Sequence, residues 1–280
     1  MSWRIRIEHR TTHRYKREVR SSYNEARMTP LDTDRQRVLE AVVGVSPPTT
    51  SARYHDYWGT VVNVFDVHVP HTELTVSAMA VVETSPPRNG DSHASWEDLA
   101  HPQTIDRFAE LLAPTARAPM SEEMTEVTKE LSSEASPLEA SWGAAAWVCG
   151  RMRYERGTTS VLTSATEALE IGAGVCQDFV HLTLALLRSM GIPARYTSGY
   201  LHPTPSADVG GSHTGQSHAW VEAWVGQWVP MDPTNGSDVG ERHVVVARGR
   251  DYTDVSPLKG IFHGGPAAGL EVSVGLTRLA

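Results

Sequence analysis

Gly172-Ala173-Gly174-Val175-Cys176-Gln177-Asp178-Phe179 is a glycine-rich turn that runs into an apolar stretch of helical period: Phe179, Leu182, Leu186, Met190. The pattern predicts a helix with Cys176 at its start. A thiol there feels the positive end of the helix dipole and the unpaired N–H groups of the first turn. Both favour thiolate over thiol, the form a cysteine nucleophile needs. Gly191, with Pro193 soon after, marks the end of the helix.

Two later stretches offer partners for that thiol. Ser217-His218-Ala219-Trp220-Val221-Glu222 reads as a strand with His218, Trp220, Glu222 and Trp224 on one face. Met231-Asp232-Pro233-Thr234 closes the next strand. A thiolate needs a base close by and a third group to orient the base. Hairpin register decides whether His218 and Asp232 can meet. A two-residue turn, Gly226-Gln227, sets Val221 opposite Asp232 and leaves Asp232 on the wrong face. A three-residue turn, Val225-Gly226-Gln227, or a bulge near Pro230, sets Trp220 opposite Asp232. His218 and Asp232 then become diagonal neighbours. A catalytic role requires this second register. In it, the Cys176 sulfur attacks an amide carbonyl, His218 protonates the leaving amine, and Asp232 holds the His218 tautomer. The Cys176 backbone N–H is one oxyanion donor. Gln177, Tyr154 and a Trp indole remain alternatives for the second. Asp178, on the nucleophile's own helix, competes with Asp232 for the orienting role, and Asp232 before Pro233 also fits a plain turn residue.

Composition narrows the function classes. At 280 residues the chain has room for one large domain or two small ones. The net charge of −8 excludes the basic footprint of a nucleic-acid or acidic-membrane partner. No apolar run is long enough for a membrane span, and the charged start lacks the apolar stretch of a secretory signal, which predicts a cytoplasmic location. The two cysteines, Cys149 and Cys176, are then expected as thiols. Cys149, within Ala-Ala-Trp-Val-Cys-Gly, reads as a small buried hydrophobe. No phosphate loop or dinucleotide motif is present, so no cofactor is expected, and no calcium-loop pattern occurs. His202, His213 and His218 with Asp208 are ligand types, but they lack paired spacing on regular structure, so no metal is expected. His9, His13, His55, His68 and His71 read as solvated. Trp220, Trp224 and Trp228 read as core or pocket wall.

The organisation is β-rich first and helical next. Residues 3–9, 61–69 and 74–83 alternate with period two, and turn signals between them suggest a small antiparallel sandwich. Residues 85–91 read as a linker. The expected division is a β-rich domain over 1–88 and a second domain over 89–280, helical over 95–190 and sheet over 194–280. Helices are expected from Ser95 (a capping-box pattern with Asp98), over 105–112, from Ser121, over 141–149 and over 163–170. Strands are expected over 194–201, 219–225, 227–232, 243–247 and 270–276. Residues 203–216, rich in Pro, Ser, Gly and Asp, read as a mobile loop or lid just before His218.

Gly-Ala-Gly-Val-Cys-Gln-Asp-Phe-Val-His at 172–181, Gly-Ile-Pro-Ala-Arg-Tyr-Thr-Ser-Gly-Tyr at 191–200, Ser-His-Ala-Trp-Val-Glu-Ala-Trp at 217–224 and Asp-Pro-Thr-Asn-Gly at 232–236 resemble the core motifs of the transglutaminase-like superfamily. Tyr154 and Gly157-Thr158-Thr159 also fit. The first 85 residues and the segment 249–257 resemble the bacterial branch. The resemblance implies an α+β fold: a papain-like core, with the Cys helix packed on an antiparallel sheet bearing His and Asp, behind an N-terminal β-sandwich-like domain. It also implies a triad of Cys176, His218 and Asp232. The Cys-to-His spacing is far shorter than the roughly 130–150 residues of papain-type enzymes. Family members include proteases, amidases, deamidases, transamidases and catalytically silent scaffolds. The expected activity is cysteine-dependent amide hydrolysis of a peptide or protein, with transamidation, deamidation or a binding module as alternatives. Bacterial relatives resemble components that sit beside peptide-ligase-like proteins, which implies partner proteins docking on the N-terminal domain.

Overall fold

Trp3, Ile5 and Ile7 face inward and Arg4, Arg6 and Glu8 outward, and this alternation carries one strand of 24 residues, Trp3–Ala26. The computed structural model describes residues 2–86 and 93–280 and makes this strand the spine of an eight-stranded sheet. Its first half lies between His71–Thr84 and Ala267–Arg278, its second half between Val61–Val67 and Leu258–Gly264, all antiparallel. Register shifts between Arg14 and Ser21 let the strand bend. The two halves of the sheet then close, sandwich-like, over a small core of Tyr15, Val19, Phe65, Leu74 and Val76.

Three expectations change here. The strands Leu258–Gly264 and Ala267–Arg278, assigned by position to the sheet over 194–280, instead complete the N-terminal sheet. Period-two alternation identifies a strand but not its distant partner. Residues 203–216 are not a free loop, because Ser212–Gly215 pairs with Ala267–Arg278 and Arg278 donates to the carbonyl of the buried Ala207 at 3.0 Å. His9 and His71 are buried rather than solvated. His9 follows Trp3, Ile5 and Ile7 on the inner face; its Nδ1 meets the Tyr200 hydroxyl at 2.8 Å, and burial lowers its pKa to about 4. The linker expected over 85–91 lies, from residue 87, outside the described residues.

The N-terminal sheet shares a core with the rest of the chain. Trp3, Ile5, Ile7, Val82 and Leu276 pack in one cluster with Phe179, Leu182, Leu186 and Val221. Gln36 adds a polar clasp, donating to the Leu31 and Val245 carbonyls at 2.7 and 2.8 Å and accepting the Val245 N–H at 2.8 Å.

In the second region, Ser95, Ser136 and Ser164 each begin a helix with a reciprocal capping box to Asp98, Glu139 and Glu167. The helix expected over 105–112 is two short ones, Pro102–Arg107 and Ala109–Leu112, split at Phe108, whose ring packs on Trp224 at 4.7 Å. Glu122–Ser132, Pro137–Arg151 and Ala165–Ile171 pack around Cys176–Ser189. This central helix is buried on every side from Gln177 to Arg188, as its apolar content requires. Its other neighbour is a five-stranded antiparallel sheet in the order Ser237–Asp238, Trp228–Asp232, Ser217–Trp224, Ala194–Leu201, His243–Gly249. Arg188 pins the far end of the helix by donating to the carbonyls of Leu111, Ala194 and Arg250. Among the described residues no helix is long and apolar enough to cross a membrane.

Candidate active site

Cys176 is the first residue of its helix and is half-buried. The helix start is held by Asp178, whose Oδ2 accepts the Val175 N–H at 2.8 Å and the Thr159 hydroxyl at 2.7 Å. Gly174 permits this, since a Cβ there would lie 2.5 Å from Asp178 Oδ2. Asp178 therefore caps the nucleophile's helix, and burial raises its pKa. It does not reach the orienting position that sequence left open to it. Residues 153–154 run parallel to the turn, pairing Tyr154 with Gly174, and the Glu155 N–H donates to the Gly174 carbonyl at 2.8 Å. That pairing brings Tyr154 and Arg156 to the mouth of the site.

The hairpin takes the three-residue turn. Trp224 pairs with Trp228 and Val221 with Met231, and Gly226 sits at φ +91°, where a side chain would be strained. His218 and Asp232 consequently share a face, with Nε2 of His218 2.7 Å from Oδ2 of Asp232. Cys176 and His218 line the same cleft, and the thiol joins Asp232 in raising the His218 pKa. With Nε2 engaged by the carboxylate, Nδ1 is the nitrogen left for the thiol.

Asp232 is the most heavily bonded group in the site. Its Oδ1 accepts the N–H groups of Thr234 and Asn235 at 3.1 and 3.2 Å. Its Oδ2 accepts the Asn235 side-chain amide at 2.7 Å and faces His243 Nε2 at 3.4 Å. Burial alone would raise the Asp232 pKa, but the bonds from His218, His243 and Asn235 hold it well below the usual carboxylate range. For His218, burial opposes the cation; the hydrogen bonds and charges of Asp232 and Cys176 outweigh it and raise the pKa to about 9.

His243 and Asn235 were not singled out from sequence. His243 is buried, and burial lowers its pKa. Its Nδ1 accepts the Gly240 N–H at 3.2 Å, so the neutral ring carries its proton on Nε2, toward Asp232. A lone polar side chain opening the otherwise apolar run 244–247 was the available signal. Trp220 is fully buried with its ring against His243 at 5.2 Å, which makes it core rather than pocket wall.

His202 and His213 meet edge to face at 5.0 Å, while His218 is bonded to Asp232. Among the described residues, the ligand atoms of His218, Asp232 and His243 converge within 4.8 Å of one another. A cleft of about 560 Å³ opens over Cys176, His218 and Asn235, with Tyr154, Arg156 and Arg242 on its walls. Of the three options for a second oxyanion donor, only Tyr154 lines this cleft; Gln177 is buried and no Trp lines it. A larger hollow of about 650 Å³, lined by Arg195, Glu222, Trp228 and His243, does not reach Cys176.

Two family models match the chain: the transglutaminase-like superfamily over residues 125–233 and the bacterial transglutaminase-like N-terminal region over 5–83. An uncharacterized protein of Mycobacterium leprae is 48% identical over 99% of this chain and 100% of its own length. A protein-glutamine gamma-glutamyltransferase of Pseudomonas aeruginosa is 24% identical over 50% of this chain and 22% of its own. In fold, the chain is similar to the crystal structure of a "Putative Cysteine Protease" from Cytophaga hutchinsonii, with TM-score 0.76 over 99% of this chain and 98% of that one, at 22% identity.

Proposed function

The chain belongs to the transglutaminase-like superfamily, and from that premise we propose that it carries out cysteine-dependent acyl transfer on amide bonds, with water as the usual acceptor. Cys176 is the nucleophile, His218 the acid and base, and Asp232 the group that orients His218. The observation that carries this reading is a single imidazole that bonds the carboxylate of Asp232 at 2.7 Å and lines the same cleft as the thiol of Cys176.

In this reading the resting site is a thiolate–imidazolium pair. The Cys176 sulfur adds to the amide carbonyl carbon, and the oxygen takes up negative charge at the helix N-terminus, toward the Cys176 N–H and the Tyr154 hydroxyl. The C–N bond breaks as His218 Nδ1 gives its proton to the leaving amine, leaving a thioester. His218, now neutral, takes a proton from water as the water attacks the thioester. The acid is released and the ion pair restored. Asp232 remains ionised throughout, since its donors favour the charged form.

Transamidation is the second reading, supported by the name of the Pseudomonas relative; there an amine replaces water in the last step. The substrate in either case is a peptide or protein.

The test is the pH dependence of Cys176 alkylation by iodoacetamide, followed by mass spectrometry, with Cys149 as internal control. Rapid labelling well below the free-thiol pKa of about 8.5, lost in His218→Ala, is expected. Equal sluggishness at both cysteines would leave a silent scaffold and overturn the reading. A peptide screen with and without added amine then separates hydrolysis from transamidation.

A further inference from the structure

The chain has 33 acidic and 25 basic residues, so its surface is acidic on average. Among the described residues, however, the cleft over Cys176 is lined by no Asp or Glu; its charged walls are Arg156 and Arg242, with His218 at the floor.

Arg156 is placed by its backbone and Arg242 by hydrogen bonds. Arg156 follows the short parallel pairing of 153–154 with 173–174, so it rides on the same turn that positions Cys176. Glu155, the acid next to it, pairs with Arg153 at 3.7 Å instead. Arg242 donates to the His202 carbonyl at 3.0 Å, and the His202 N–H returns a bond to the Arg242 carbonyl at 3.0 Å. This double link ties Arg242 to the segment that continues into Pro203 and Pro205, which also line the cleft. Among the described residues neither guanidinium is neutralised by a carboxylate. A guanidinium presents a planar fork of donors that fits a carboxylate in two-point fashion.

We propose that the acyl donor carries a carboxylate near the scissile amide and that Arg156 and Arg242 receive it. This inference rests on the Cys176 chemistry proposed above and names its substrate class: acidic peptides. The same walls disfavour a lysine ammonium as acceptor, which agrees with water as the usual one.

The experiment compares two alkylating probes of nearly equal size, anionic iodoacetate and neutral iodoacetamide. The rate ratio at Cys176, relative to N-acetylcysteine, is measured at neutral pH and low salt. A ratio roughly tenfold above the free thiol is expected, in line with electrostatic focusing in a charged cleft, and it falls as salt rises. Arg156→Gln and Arg242→Gln each lower the ratio severalfold, whereas Arg242→Lys keeps it. Iodoacetamide divides out any change in thiol reactivity, so the ratio is readable even if Cys176 proves slow. The pH profile judges the catalytic reading; the ratio and the peptide comparison judge this one. An unchanged ratio in both Gln variants, or an equal loss in Arg242→Lys, overturns the proposal. Peptides then locate the carboxylate: Glu against Gln beside the scissile bond with an amidated terminus, and a free against an amidated C-terminus. Roughly tenfold higher kcat/KM in one arm identifies the source. Equal kcat/KM for Glu, Gln and Lys peptides refutes the substrate class.

Discussion

His243 Nε2 lies 3.4 Å from Asp232 Oδ2, the same oxygen that takes His218. The Asp232 carboxylate is therefore shared by two imidazoles, one exposed to the cleft and one buried behind it at the far edge of the sheet. In the proposed mechanism His243 is a positioning residue: the Gly240 N–H fixes its tautomer, and its own N–H helps keep Asp232 ionised and aimed. His243→Leu should slow Cys176 alkylation about tenfold, the low end for loss of a hydrogen bond to a charged group. It should also move the upper pH limb of the reaction downward, because a less firmly ionised Asp232 supports less of the His218 cation. His243→Gln, which keeps a donor, should recover part of both effects. A variant that is slower but has an unshifted pH limb would mean that His243 only packs.

The raised His218 pKa also predicts how stability varies with pH. His218 titrates near 6.5 in an unfolded chain and near 9 in the fold. A group whose folded pKa is raised stabilises the fold fully below its unfolded pKa, and that contribution is lost as pH rises through the folded value. The thermal midpoint of the native protein should thus fall between pH 7 and 9.5, and His218→Ala should show a smaller fall. Asp232 has the opposite sign: its stabilisation is present above about pH 4 and fades only in strong acid. Parallel midpoint curves for the native protein and His218→Ala between pH 7 and 9.5 would contradict the assigned ion pair.

Much of the site was legible because its parts are local. A glycine turn, a helix start and a hairpin whose two registers can be drawn on paper needed no knowledge of distant contacts. The three-residue turn at Gly226 then aligned His218 with Asp232. What escaped sequence reading was non-local. Nothing in residues 258–278 announces that they pair with Trp3–Ala26, and nothing in 203–216 announces the strand Ser212–Gly215, because polar, turn-forming residues pair readily at a sheet edge. His243 escaped for the same reason: its partner Asp232 lies on another strand of the sheet.

Gly174 provides a test of how the thiol is placed. A Cβ at this position would lie 2.5 Å from Asp178 Oδ2 and 2.8 Å from Asp178 Cβ. Gly174→Ala should therefore push Asp178 off the Val175 N–H and loosen the first turn of the Cys176 helix. The expected cost is about 1–3 kcal/mol, the range for overpacking a well-filled site. Alkylation of Cys176 should slow while that of Cys149 is unchanged. An alanine variant with native reactivity and native urea midpoint would show that the turn has slack.

Glu222 shows what keeps the sheet under His218 rigid. It is buried in the strand Ser217–Trp224, where it takes Arg195 Nε at 2.6 Å from one neighbouring strand and Arg248 Nε and Nη2 at 2.9 and 3.0 Å from the next. Arg195 in turn lies over the Trp228 ring at 3.8 Å. Three strands are thus tied through one carboxylate. Burial opposes its ionisation, but the two guanidiniums outweigh that and lower its pKa to about 2. Glu222→Gln would leave two cations half-enclosed without a counter-charge. Breaking a buried pair in this way costs about 3–5 kcal/mol; the lower end is expected, since each arginine side chain keeps 19% exposure. The sign with pH follows from the lowered pKa: the carboxylate's contribution is present above about pH 4.3 and declines as pH falls toward 2. Urea denaturation of the native protein and Glu222→Gln should therefore differ most at pH 7, with the gap narrowing steadily as pH falls from about 4.3 toward 2. A gap that stays constant across that range would mean that shape rather than charge holds the three strands together.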